Sequence, residues 1–174
     1  MKRAVSISLG SSKRNKAVVV KLLGEEVSIE RIGTDGDMEA AALKYKELDG
    51  VVDAFGVGGA DLGVMVDEKW YRLYSVEKMI RFIKKTPVVD GTGLKNTLEN
   101  KAGTFVEAKL GDYVKQRGRK VFVMTGVDRW GLGHSFVTAG YETTYGDLMF
   151  SLSIPIALHS EGQLKTLASL LMPV

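Results

Sequence analysis

Val51-Val52-Asp53-Ala54-Phe55-Gly56-Val57-Gly58-Gly59-Ala60-Asp61 decides the fold class. The almost wholly apolar run from Val51 to Val57 has the pattern of a strand buried on both faces, as in parallel sheets covered by helices. A glycine-rich loop follows it directly. Three other stretches repeat the arrangement of a short apolar run and then glycines. They are Ser8-Leu9-Gly10-Ser11-Ser12, Asp90-Gly91-Thr92-Gly93-Leu94-Lys95-Asn96-Thr97 and Thr125-Gly126-Val127-Asp128-Arg129-Trp130-Gly131-Leu132-Gly133-His134-Ser135. Loops that follow the strands of a parallel sheet emerge at one edge, where α/β domains bind ligands. Glycines there let backbone N–H groups approach a ligand closely.

Working outward, Ala4 to Leu9 alternates as a strand, and Ala17–Leu23 with Glu26–Ile32 forms a hairpin through Leu23-Gly24-Glu25. Asp37 caps a helix over Met38–Leu48. Leu62–Val66 and Trp70–Tyr74 read as a second hairpin around Asp67-Glu68-Lys69. Helical spacing covers Ser75–Lys85, Phe105–Arg117 and Gln163–Met172, with a short helix at Phe136–Ala139. Pro87–Val89, Lys120–Met124 and Tyr141–Tyr145 complete the strands, Lys120–Met124 as a buried one. The alternation specifies an α/β fold, a Rossmann-like three-layer sandwich with a mostly parallel sheet and antiparallel hairpin additions. Residues 1–174 are expected to form a single α/β domain. The apolar end at Met172-Pro173-Val174 suggests the N-terminal part of a longer protein, with a C-terminal domain as partner and dimerisation through the last helix.

Composition narrows the function classes. Hydrophobic residues make up 45% and charged residues 26%, which suits an ordinary globular protein. The absence of cysteine excludes disulfides and thiolate metal sites and fits a cytoplasmic protein. No apolar run is long enough to span a membrane. The net charge of +3 is spread along the chain without a basic stripe, so no nucleic-acid partner is expected. The two histidines, His134 and His159, have no zinc-type spacing, and no metal is expected.

The loops carry the candidate chemistry. Asp90 and Lys95 stand within one polar octet, where Lys95 suits an anion clamp or a proton donor and Asp90 a substrate hydroxyl or, alternatively, a metal ion. The same octet also suits a polar turn capping a helix near Leu94. His134 beside the glycines fits an acid/base group or an anion contact, and equally a surface cap. Asp35 lies in a glycine turn after a strand. Gly10, Ser11, Ser12, Gly56, Gly58, Gly59, Gly91, Thr92 and Gly93 are the candidate backbone contacts to a small-molecule ligand or cofactor. Gly56-Val57-Gly58-Gly59 is an incomplete dinucleotide fingerprint, because Asp61 stands where the third glycine belongs.

Ser6–Ser12, Arg31–Asp37, Val89–Thr97 and Gly146-Asp147-Leu148-Met149-Phe150 together resemble the N-terminal half of a bacterial family labelled quinate 5-dehydrogenase. The resemblance covers most of the chain and implies an NAD- or NADP-dependent oxidoreductase. Shikimate and quinate dehydrogenases use a Ser-x-Ser, a catalytic lysine, a Thr-Asp-Gly turn and a Gly-Ala-Gly-Gly-Ala loop. Ser6-Ile7-Ser8, Thr34-Asp35-Gly36 and Gly56-Val57-Gly58-Gly59-Ala60 follow that order. No lysine motif lies between the first two, which leaves Lys95 for the role. Two other readings fit the same elements. One is a phosphate- or ATP-binding domain of the actin-like kinase type, the other a non-catalytic domain for ligand sensing or assembly.

Overall fold

The computed structural model describes residues 1–172; Pro173 and Val174, the end of the apolar terminus, lie outside the described residues. The chain divides into two compact units. Unit 1 comprises Met1–Leu62 with Leu73–Gly91, and unit 2 comprises Gly63–Arg72 with the chain from Thr92 onward. The sequence reading treats all of this as one domain.

Unit 1 is built on a five-stranded sheet in the order β2-β3-β1-β4-β7, made of β1 (Lys2–Ser8), β2 (Lys16–Leu22), β3 (Glu25–Gly33), β4 (Ala54–Gly58) and β7 (Val88–Val89). β1 pairs in parallel with β3 and β4, β4 pairs in parallel with β7, and only β2 runs antiparallel. A mixed α/β fold around a mostly parallel sheet is therefore present, with the expected hairpin addition. Helices α1 (Met38–Leu48) and α2 (Tyr74–Ile80) pack on the sheet face formed by Val5, Ile7, Phe55 and Val57. Ala41 and Tyr45 of α1 and Val76 and Met79 of α2 join those four side chains in one buried cluster. Both helices lie on that face for a topological reason: β1 reaches β3 through a strand, β2, where a doubly wound fold would place a helix. The other face carries the small alternating residues Ala4, Ser6, Ala54 and Gly56.

Local chemistry explains the element ends. The Asp37 carboxylate accepts the Ala40 N–H at 2.9 Å and starts α1 as its spacing predicts. α2 stops at Ile80, short of the expected Lys85. The Asp49 carboxylate takes the backbone N–H groups of Lys84, Lys85 and Thr86, so those residues form a bound turn and not a last helical turn. These bonds hold the Asp49 carboxyl below its usual range.

The β2–β3 hairpin turns on Leu23 and Gly24, at φ 50° and 88°. Two positive φ angles define the I′ turn that matches strand twist, and Asn-Gly is its preferred pair. Leu23 is fully exposed and buries nothing there. Leu23→Asn is expected to stabilise the protein by about 0.5–1 kcal/mol, because asparagine tolerates the left-handed region better than leucine. A thermal melt checks this, and an unchanged midpoint would show that the turn is not limiting.

Unit 2 is a helical unit with two small sheets. The hairpin β5 (Gly63–Val66) and β6 (Lys69–Arg72) is antiparallel. β8 (Lys120–Val123) and β9 (Glu142–Tyr145) pair in parallel as a separate two-stranded sheet, and Tyr145 of β9 also forms an antiparallel bridge with Leu158. Its helices are α3 (Thr92–Thr97), α4 (Ala102–Lys115), α5 (Trp130–Thr138), α6 (Asp147–Leu152) and α7 (Glu161–Leu171). Two sequence expectations are corrected here. The Thr125–Ser135 loop does not share an edge with the other three loops, because β8 belongs to a separate sheet. β8 is also not a buried strand, since Phe122 and the following Met124 are about half exposed.

Candidate functional site

The carboxyl ends of β1, β3, β4 and β7 share one edge of the five-stranded sheet. Ser8 lies there in register with Gly33 on one side and Gly58 on the other. The chain leaving β1 heads toward the β3 side and the chain leaving β4 toward the β7 side, so the crevice between β1 and β4 is a topological switch point. Gly58 is required at this lip: a Cβ there would stand 2.7 Å from the Ser8 Cβ.

Backbone straps shape the loop after β1. Leu9 N–H donates to Gly58 O at 2.9 Å, Thr34 N–H to Ser8 O at 2.8 Å and Gly36 N–H to Leu9 O at 2.7 Å. Ser12 N–H donates to Asp35 Oδ1 at 2.8 Å. Bonds from Ser12, helped by Ser11 and the nearby Arg31, hold the Asp35 carboxyl below its usual range. Asp35 itself adopts φ 52°, an uncommon conformation for a residue with a side chain.

Two arginines converge on this loop. Arg31, near the end of β3, donates from Nη2 to Ser8 Oγ at 3.0 Å and from Nη1 to Ser11 O at 3.0 Å. Arg14 closes the 3-10 turn Ser12–Arg14. A Cβ on Gly10 would fall 2.6 Å from Arg14 Nη2, 2.8 Å from Arg31 Nη2 and 3.3 Å from Ser8 Oγ. Both guanidinium groups therefore crowd the space over Gly10 that a larger residue would fill. Among the described residues, neither has a carboxylate within ion-pair distance. The Ser8 hydroxyl, buried, accepts from Gly10 N–H and from Arg31 and keeps its own hydrogen to donate.

Of the residues singled out in the sequence, Gly10, Ser11, Ser12 and Asp35 meet in this loop cluster, and Gly58 and Gly59 stand at the adjacent strand end. Gly56 lies inside β4 opposite Ser6, not in a loop. Asp90 accepts the Leu62 N–H at 2.7 Å, and Gly91 ends unit 1 beside Asp61. Thr92, Gly93, Lys95 and His134 belong to unit 2, the first three within α3. There Lys95 Nζ pairs with Asp128 Oδ1 at 2.6 Å, and His134 Nδ1 lies 2.8 Å from Glu161 Oε1. Sequence reasoning missed Arg14 and Arg31 as site residues. For Arg31 the signal is a basic residue two positions before the glycine that ends β3, whose meaning depends on β3 lying beside β1, and Arg14 stands in the small basic cluster Lys13-Arg14 with Lys16.

The family comparison divides the chain near the same place, between residues 90 and 93. A family model described as Domain of unknown function (DUF8753) matches residues 3–90. The chain belongs to the DUF8753 family. A second model, Domain of unknown function (DUF8754), matches residues 93–174. No curated protein and no solved structure matches the chain. The DUF8753 segment contains the whole switch-point cluster, and also the β5–β6 hairpin that is part of unit 2. Among the described residues, no helix is long and apolar enough to cross a membrane, and no three acidic, histidine or cysteine side chains gather to hold a metal ion.

Proposed function

We propose that the DUF8753 unit binds a small hydroxylated carboxylate at the β1–β4 switch point, the substrate class implied by the resemblance to quinate and shikimate dehydrogenases. The observation that supports it is the convergence of Arg14 and Arg31 over Gly10, with no carboxylate within ion-pair distance of either among the described residues. Two adjacent like charges are held together at a cost that an anion between them removes. Arginine forks match carboxylates in two-bond geometry, and the hydroxyls of Ser8, Ser11, Ser12 and Thr34 surround the same loop for hydroxyl groups of a ligand. A cytoplasmic enzyme with a Rossmann-like three-layer sandwich is the finer form of this reading.

The residues do not fit a nicotinamide dinucleotide in its usual mode. That mode seats the pyrophosphate on a helix N-terminus after the glycine loop. Here Gly59–Leu62 leads into β5, a strand. The proposal is therefore one of substrate-side binding by unit 1, and no hydride step is derived from it.

Calorimetric titration of the chain with quinate, shikimate, inorganic phosphate, ATP with Mg²⁺, NAD⁺ and NADP⁺ tests it. Quinate or shikimate is expected to bind, and Arg31→Ala to weaken that binding by about ten- to a hundredfold, the value of a charge-assisted pair. Arg31→Lys should recover little, because an ammonium lacks the fork. Silence with both acids, or equal affinity in Arg31→Ala, overturns the proposal. A response to phosphate or ATP alone replaces it with the phosphate-binding reading.

A further inference from the structure

We propose that unit 2 carries a separate binding site for a small organic cation, a primary amine or guanidinium compound, in the cleft beneath the β5–β6 turn. The cleft measures about 370 Å³ and is lined by Asp67 and Glu68 of that turn, Asn96 and Asn100, and Trp130 and His134 of α5. The protein already holds an ammonium against two of these groups. Lys165 Nζ, from α7, pairs with Asp67 Oδ2 at 2.5 Å and lies 5.5 Å from the centroid of the Trp130 ring. A carboxylate on one side and an indole face on the other is the combination that recognises alkylammonium and guanidinium groups.

Charge around that ammonium is unbalanced. Asp67, Glu68 and Glu161 all act on Lys165 and raise its pKa, the Asp67 hydrogen bond most. Asp67 alone is in contact with that ammonium, Glu161 is engaged by His134, and Glu68 has no ion pair among the described residues. His134 is fixed by Glu161, and its ring stacks nearly parallel to Trp130, at 12° and 6.2 Å between centroids. The aromatic floor is therefore extended by a second ring held in place by a carboxylate. Asn96 and Asn100 add amide oxygens that accept the further N–H groups of an amine or guanidinium. The aromatic surface, and the lack of a three-ligand cluster among the described residues, set this cleft apart from a metal site.

Agmatine titrated into the ¹⁵N-labelled chain, followed at the Trp130 indole N–H and the Gly131 and His134 amides, tests the site. Saturable shifts confined to these signals and the β5–β6 turn are expected. Glu68→Gln, which leaves the Lys165–Asp67 pair intact, should weaken binding at least about fivefold, and Lys165→Met should tighten it at least about threefold by releasing the Asp67 carboxylate from its ammonium partner. The tightening discriminates, because a purely structural ion pair predicts loss of stability and no gain in affinity. Should Lys165→Met fail to fold, Lys165→Gln serves for the same comparison. Shifts that do not saturate, or that match those caused by uncharged glycerol, overturn the proposal, as does unchanged affinity in both variants. The result is independent of the carboxylate titration, since the two sites share no residue.

Discussion

Gly103→Ala is expected to destabilise unit 2 by about 3 kcal/mol or more, although alanine is the better helix former by about 1 kcal/mol. Gly103 lies in the first turn of α4, where its N–H donates to Ser135 Oγ at 3.1 Å. A Cβ there would collide with the carbonyl oxygen of Ser135, stand 2.6 Å from its carbonyl carbon and 3.0 Å from Phe136 N. All of these are backbone atoms of α5, and no rotamer change moves them. Gly111, two turns further along α4, provides the control. The nearest atoms to its Cβ would be those of the flexible Glu107 side chain, the first of them Oε1 at 3.3 Å. Gly111→Ala should therefore follow propensity and stabilise by about 0.5–1 kcal/mol. Urea unfolding of the pair is the measurement; two substitutions of equal sign would mean that α4 and α5 do not cross at Gly103.

Tyr45→Ala is expected to cost unit 1 about 3–5 kcal/mol, the range for removing a large aromatic side chain from a packed core. Tyr45 is fully buried, stands edge-on to Phe55 with ring centroids 4.9 Å apart, and shares the cluster with Val5 and Ile7. Its hydroxyl lies 2.9 Å from Gly56 O and 3.2 Å from Ile7 O, on β4 and β1. Burial pushes its phenol well above the usual tyrosine pKa, so it stays a donor across the working pH range. Tyr45→Phe keeps the ring and removes only that bond, for about 1–2 kcal/mol. Equal losses in the two variants would place the whole effect in the hydroxyl and none in the packing.

How far the sequence reveals this structure depends on the range of the interactions involved. The β2–β3 hairpin and α1 were legible almost to the residue, because Leu23-Gly24 and the Asp37 cap act over a few positions. α5 was not: it begins at Trp130, six residues before the expected Phe136. Gly131 and Gly133 argue against a helix by propensity, yet their missing side chains admit Lys95 O and the Tyr145 ring. The separation of β8 and β9 from the main sheet was illegible for a similar reason, since no local signal names a strand's partner. At the switch point, Gly10, Ser11, Ser12 and Asp35 could be found from turn chemistry. Arg31 needed the parallel pairing of β1 and β3 to acquire its meaning.

The β5–β6 hairpin makes the two matched segments unfit as independent genetic cassettes. The chain passes into unit 2 at Gly63, returns at Leu73 and passes over again at Thr92. A gene fragment cut between residues 90 and 93 yields a second half without two of the four strands of unit 2. The first half then carries the orphaned hairpin, with Trp70 and Tyr71 separated from their own unit. A DUF8754 segment joined to a foreign partner would lack the same piece of unit 2.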